Sequence, residues 1–290
     1  MTTATTTMTD DLKLVMSLHE NPTLLPEDHL QNSLYQILTT TAVITVVHLV
    51  LLATFTVVAG KKEQTGKGKS GSVDFWKASY QATNLLINLG LGCFGIYIVF
   101  FNFPSEVAIS EKIEGNESWS IFADLQIGYQ LWAIPIGIFF VNETTTMLCH
   151  HVSVIITASL AAFFMNGFRY YIPFFFGVIE ISSVPLSIMN TFKNNKSWID
   201  KYPGMYATVR VTFAVMFLIT RVILWLPRII DFLRICMVMI WTSESDTCRI
   251  VLGMTAAAAS VLTSMQLLWA RKIVEGLIKM SKKKPAAKKE

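Results

Sequence analysis

Seven separate apolar stretches, over 34–59, 75–103, 121–141, 145–166, 171–190, 206–226 and 250–270, most constrain what this 290-residue chain can fold into. Each has about the 20 residues that a bilayer-spanning helix needs. In hydrocarbon every backbone N–H and C=O must be paired internally, which makes each stretch a helix. Only 15% of the residues are charged, against about 25% in soluble domains. The expected fold is therefore an all-α multipass membrane protein with about seven transmembrane helices. A further stretch, 227–241 (PRIIDFLRICMVMIW), carries Arg228, Asp231 and Arg234 at helical spacing beside an apolar face. It reads as an interfacial or re-entrant helix rather than an eighth crossing. Residues 1–33 are polar and Thr-rich, with no signal-peptide pattern; part of them could form a short amphipathic helix before Pro22.

The basic residues set the expected orientation. Lys and Arg in short flanking segments stay on the cytosolic side. Segment 61–77 holds five Lys, 191–204 holds three, and the tail from Arg271 holds eight Lys or Arg, while 1–33 and 104–119 hold one Lys each. Seven crossings put all three basic segments on one side, which places the N-terminus in the lumen and the C-terminus in the cytosol. The sequon at Asn116 then falls in a lumenal loop open to glycosylation, whereas those at Asn142 and Asn195 fall on the cytosolic side. The tail resembles a dilysine retrieval signal imperfectly, with Ala287 at the fourth position from the end. Four scattered cysteines give neither a disulfide framework nor a zinc site.

The fourth stretch is the most informative. Glu143, Thr146, His150, Ser153 and Thr157 recur at spacings of three and four, so they stack on one helical face, with His151 turned toward its flank. A polar stripe of this kind should face the bundle interior or a wet cavity. The fifth stretch adds Glu180 and Ser183, with Pro185 expected to kink it. The sixth adds Arg221, whose burial cost a pairing with Glu180 would relieve. Histidine suits a nucleophile or general base because its ordinary pKa lies near neutrality. The alternative is a purely structural interhelical network, where membrane hydrogen bonds average about 0.6 kcal/mol. No metal site is expected, because adjacent histidines diverge on a helix and no HExxH pattern is present.

Several segments, taken in order, resemble the TLC domain shared by ceramide synthases, translocation-associated membrane proteins and several lipid-homeostasis proteins of the endoplasmic reticulum. They are VDFWKASYQATNLL (73–86), IGY (127–129), ETTTMLCHHVSVI (143–155), EISSVPL (180–186) and FLITRVILWLPRI (217–229). The resemblance covers about 73–281. It leaves a lumenal segment 1–33, a first helix and basic loop over 34–72, and a basic cytosolic tail over 282–290. It implies a six-helix bundle around a central chamber, preceded by one helix, in the endoplasmic reticulum or a related endomembrane. By the same resemblance His150 and His151 would take an acyl group from acyl-CoA and pass it to an amine. Glu143 and Glu180 would be the acidic partners, and Thr146, Ser153, Thr157, Ser183 and Arg221 would line the chamber. Acyl-CoA would be a co-substrate with no resident cofactor. Membrane lipids would be the partners, a homo-oligomer is allowed, and no nucleic acid is expected. The chain departs from ceramide synthases at the His-Asp-x-x-Asp pattern, where it has Ile179, Glu180 and Ser183, at the usually acidic position occupied by Ala133, and in lacking a homeobox-like segment. It is thus more similar to the smaller TLC proteins. Two functions stay open: an acyl-lipid enzyme, and a non-catalytic lipid-sensing, trafficking or cargo-receptor protein.

Overall fold

The computed structural model describes residues 27–63, 74–103, 107, 109–164 and 167–282. The N-terminal amphipathic helix and most of the basic tail expected from the sequence lie outside the described residues. The helices are α1 (Glu27–Glu63), α2 (Phe75–Tyr97), α3 (Ile109–Glu114), α4 (Ile121–Ile136), α5 (Thr145–Phe163), α6 (Ile172–Phe175), α7 (Ser183–Asn194), α8 (Lys196–Lys201), α9 (Pro203–Leu218), α10 (Trp225–Thr242) and α11 (Asp246–Lys282). Three π-helical turns, Ile98–Asn102, Gly137–Val141 and Ile219–Ile223, continue α2, α4 and α9. A 3₁₀ segment, Val178–Ser182, precedes α7. Among the described residues, seven spans are long and apolar enough to cross a bilayer. The protein is an all-α multipass membrane protein.

Local chemistry sets the span boundaries. Asp74 caps α2 by accepting from the Lys77 N–H at 3.1 Å, and Thr144 caps α5 by accepting from the Met147 N–H at 3.3 Å. Such caps satisfy N–H groups that no helical turn can reach. Asn142, left-handed at φ 57°, ends the third span and turns the chain into the fourth.

The spans enclose a ring. α2 packs on α7, α7 on α9, α9 on α11, α11 on α5 and α5 on α4. The Phe94–Phe122 stack at 4.6 Å links α2 to α4. α1 lies outside the ring, against both α2 and α4. One end of the bundle carries Lys193, Lys196, Lys201 and Lys272 and is called the basic end below; α3, the Arg169–Tyr171 turn and the α10–α11 junction mark the far end.

Two features differ from the sequence expectation. The stretch 227–241 is not a separate interfacial helix: α10 continues the sixth span, Pro203–Thr242, beyond the π turn. Asp231 and Arg228, two of its three charged residues, have protein partners, while Arg234 is exposed. Asp231 accepts from Lys112 Nζ and from the Tyr171 hydroxyl, each at 2.6 Å. Arg228 lies 4.2 Å from the Phe174 ring centre and donates to the Leu224 carbonyl. The fifth span is also broken upstream of Pro185, which sits in the first turn of α7, where a missing N–H costs nothing. The break follows α6, where the backbones of Gly95 and Gly177 touch: an ideal Cβ on Gly95 would lie 2.4 Å from the Val178 nitrogen.

Candidate functional site

The 3₁₀ geometry of Val178–Ser182 orients the centre of the site. With three residues per turn, side chains three apart eclipse, which stacks Ser183 on Glu180; its hydroxyl donates to Glu180 Oε2 at 2.8 Å. Arg221, in the π turn of the sixth span, reaches the same group. Its Nε donates to Ser182 Oγ at 2.8 Å. Its Nη2 donates to Ser183 Oγ at 3.0 Å and to Glu180 Oε2 at 3.3 Å. Arg221 and Glu180 are 5% and 7% exposed. The pairing sought by the burial argument is therefore made, and two hydroxyls complete it. Gln126 adds a donor to Glu180 Oε1 at 3.3 Å.

Two cavities meet at this level. The larger, about 300 Å³, is lined by many polar side chains and extends to the basic end, where Lys193 and Lys272 line it. The smaller, about 50 Å³, is an apolar slot lined by residues such as Val154, Leu160, Ile179 and Trp225. It reaches Phe168 and Phe232 toward the far end, whose rings stand 5.0 Å apart. His150 and Glu180 border both cavities. His151 lines the polar chamber alone. The two imidazoles lie 5.7 Å apart, and Trp269 meets His150 edge-on at 5.7 Å. His150 Nδ1 and both nitrogens of His151 are buried without a hydrogen-bond partner.

The other residues of the expected site divide. Glu143 lines the chamber, but from the link before α5 rather than from the helix, since α5 starts only at Thr145. Burial pushes its carboxyl above the ordinary range, while the Thr144 backbone and the Tyr80 hydroxyl hold it down. Ser183 and Arg221 line the chamber, and Thr157 lines the slot. Thr146 is exposed at the start of α5 and borders neither cavity; Ser153 is buried and borders neither. Asn116 is exposed at the far end and caps the Glu117–Ser120 turn by accepting from the Ser118 N–H at 3.0 Å. Among the described residues no three His, Cys, Asp or Glu side chains gather as a metal site.

Residues 77–275 match the family model of the TLC domain. The chain belongs to the TLC domain family. It has no significant match among curated proteins or among solved structures. Family membership carries a membrane-lipid-related function. This TLC domain also has a polar wall that the stripe on α5 does not announce. Tyr80, Asn84 and Asn88 on α2, with Tyr129 and Gln130 on α4, line the chamber opposite the histidines. A signal for them exists in the sequence: polar residues four apart within apolar runs, at 80, 84 and 88 and again at 126 and 130.

Proposed function

We propose that this TLC protein transfers acyl groups from acyl-CoA to an acceptor on a membrane lipid, through His150 with His151 beside it. The observation that carries the reading is that His150 and Glu180 border both the polar chamber and the apolar slot. An acyl thioester needs that junction. The first methylenes of its hydrocarbon tail belong in the slot, its carbonyl at the boundary, and its polyanionic carrier in the chamber, where Lys193 and Lys272 supply positive charge. A neutral imidazole nitrogen of His150 would attack the thioester carbonyl. The C–S bond breaks, and the imidazole proton leaves with the CoA thiolate. An acceptor N–H or O–H then attacks the acyl-imidazole, and its proton returns to the ring. Splitting the transfer in two lowers each barrier. Glu180 stays paired with Arg221, so its role is to hold the wall of the site rather than to move a proton.

A purely structural role would be expected to show as hydrogen bonds from the histidines to neighbouring helices. The partnerless state of His150 Nδ1 and of both His151 nitrogens favours chemistry over bracing. Intact-mass spectrometry after incubation with palmitoyl-CoA tests the proposal. The wild type should gain one palmitoyl group, and the gain should vanish in His150→Ala while thermal stability is kept. If neither wild type nor variants gain mass or release CoA, and both histidine variants only lose stability, the chain is a lipid-binding or trafficking protein instead.

We assign the basic end to the cytosol, as the source of CoA requires, and the membrane to the endoplasmic reticulum or a related compartment. Asn116, exposed at the far end, then faces the lumen. Glycosidase treatment of the expressed protein should remove mass in the wild type and none in Asn116→Gln; an unglycosylated Asn116 alongside a modified Asn142 would reverse the assignment.

A further inference from the structure

Two amide carbonyl oxygens on the wall of the polar chamber have no partner, and one of them ends a chain of hydrogen bonds that starts on a carboxylate. That chain starts at Glu180. With Arg221 on the other oxygen, Glu180 Oε1 is an acceptor, so Gln126 must present its nitrogen there; that nitrogen also donates to the Phe176 carbonyl at 3.2 Å. The carbonyl of Gln126 is thereby turned away and accepts from Gln130 Nε2 at 2.9 Å. Gln130 is left with its own carbonyl oxygen free, buried and unpartnered. Separately, the Asn84 carbonyl accepts from the Tyr129 hydroxyl at 2.9 Å, and Asn88 Oδ1, one turn further along α2, is buried without a partner.

An amide can usually flip to suit its surroundings. Here the flips of Gln126 and Gln130 are decided from the carboxylate outward, because reversing either amide would set two like groups against each other. Gln130 and Asn88 are 2% and 3% exposed, and both line the chamber. A buried acceptor without a donor costs free energy until something satisfies it.

We infer that the Asn88 and Gln130 carbonyl oxygens form a recognition site for a hydrogen-bond-donating head group, an alcohol or an ammonium, on an amphiphile held in the chamber. The inference rests on the proposed reading of the chamber as a ligand site, but not on the histidines being reactive. On the acyl-transfer reading, the same pair orients the attacking O–H or N–H, and both are positioning residues.

The test compares ligands that differ only in the ability to donate. The full chain in lipid nanodiscs is titrated, at equal mole fractions in the bilayer, with hexadecan-1-ol, hexadecylamine and 1-methoxyhexadecane, which accepts but cannot donate. Binding is read from tryptophan fluorescence. The alcohol and the amine should each bind about tenfold more tightly than the ether, since a site with unpaired acceptors rejects the analogue that lacks the donor. Asn88→Ala with Gln130→Ala should erase the difference. Asn88→Asp and Gln130→Glu, which keep an oxygen, should preserve it. Should the double alanine variant fail to fold, the alcohol-to-ether ratio in the wild type decides alone. Equal binding of alcohol and ether overturns the inference; if the acyl adduct still forms, the acyl-transfer reading survives it. Binding of none of the three ligands removes the chamber reading together with this one.

Discussion

Arg221→Met is expected to cost about 3–5 kcal/mol of stability, the range seen when one partner of a buried ion pair is removed. Whole domains hold only about 5–15 kcal/mol, so the variant should appear as a large drop in melting temperature or as lost expression. The size follows from what is left behind. Glu180, 7% exposed, would keep Gln126 and Ser183 but lose its counter-ion. Ser182 would lose the donor that meets its hydroxyl. Arg221→Lys should fall between the two, since one ammonium cannot reach Ser182, Ser183 and Glu180 in the planar fork that the guanidinium supplies. Glu180→Gln should be costly for the converse reason. The decisive measurement is the cycle: Glu180→Gln with Arg221→Met should be clearly more stable than the sum of the two single losses. Additive losses would mean that the pair does not act as one unit.

Gly95→Ala is expected to lower stability by about 1–3 kcal/mol, the usual cost of forcing an extra group into a packed core, and, on the acyl transfer proposed above, to suppress adduct formation. The added Cβ would lie 2.4 Å from the Val178 nitrogen and 2.6 Å from the Gly177 carbonyl carbon, both backbone atoms that cannot swing aside. The α2 backbone would have to move away from the 3₁₀ segment, and Glu180 sits two residues beyond the contact. Gly90→Ala, five residues back on the same helix, is the control. Its Cβ meets nothing within 4 Å, and replacing glycine within a helix by alanine should be neutral or stabilising by up to about 1 kcal/mol. Should the two variants melt together and form adduct equally, the close approach of α2 to Gly177 is not a feature of the working protein.

The seven spans are legible in the sequence because hydropathy over some 20 residues is a local property that the bilayer makes compulsory. The Glu180–Arg221 pairing is legible for a related reason: charges in apolar runs have few places to go. Other parts of the site are settled at long range and leave weaker traces. Asp231 reads as an interfacial acid until Lys112, 119 positions away, is found beside it. Glu143 reads as the first member of a helical stripe, yet the left-handed turn at Asn142 and the cap at Thr144 put it outside the helix. Thr146 shares the helical spacing of His150 but stands at the end of the helix, where the ring of neighbours no longer covers it. The amide wall on α2 and α4 lies in the sequence as a spacing of four, but its meaning depends on which oxygen each neighbour leaves unpaired. Spacing cannot carry that information.

The π turn at Ile219–Ile223 has a consequence for how such a protein can change. A π turn is an α-helix holding one surplus residue. The surplus residue is absorbed within the turn, so deleting Val222 would return the segment to plain α-helix while Trp225, Ile229 and Phe232 kept their places along the apolar slot. What would change is the wide turn itself, which carries Arg221 to Ser182, Ser183 and Glu180. A single deletion could thus retool the buried ion pair and leave the apolar slot as it is.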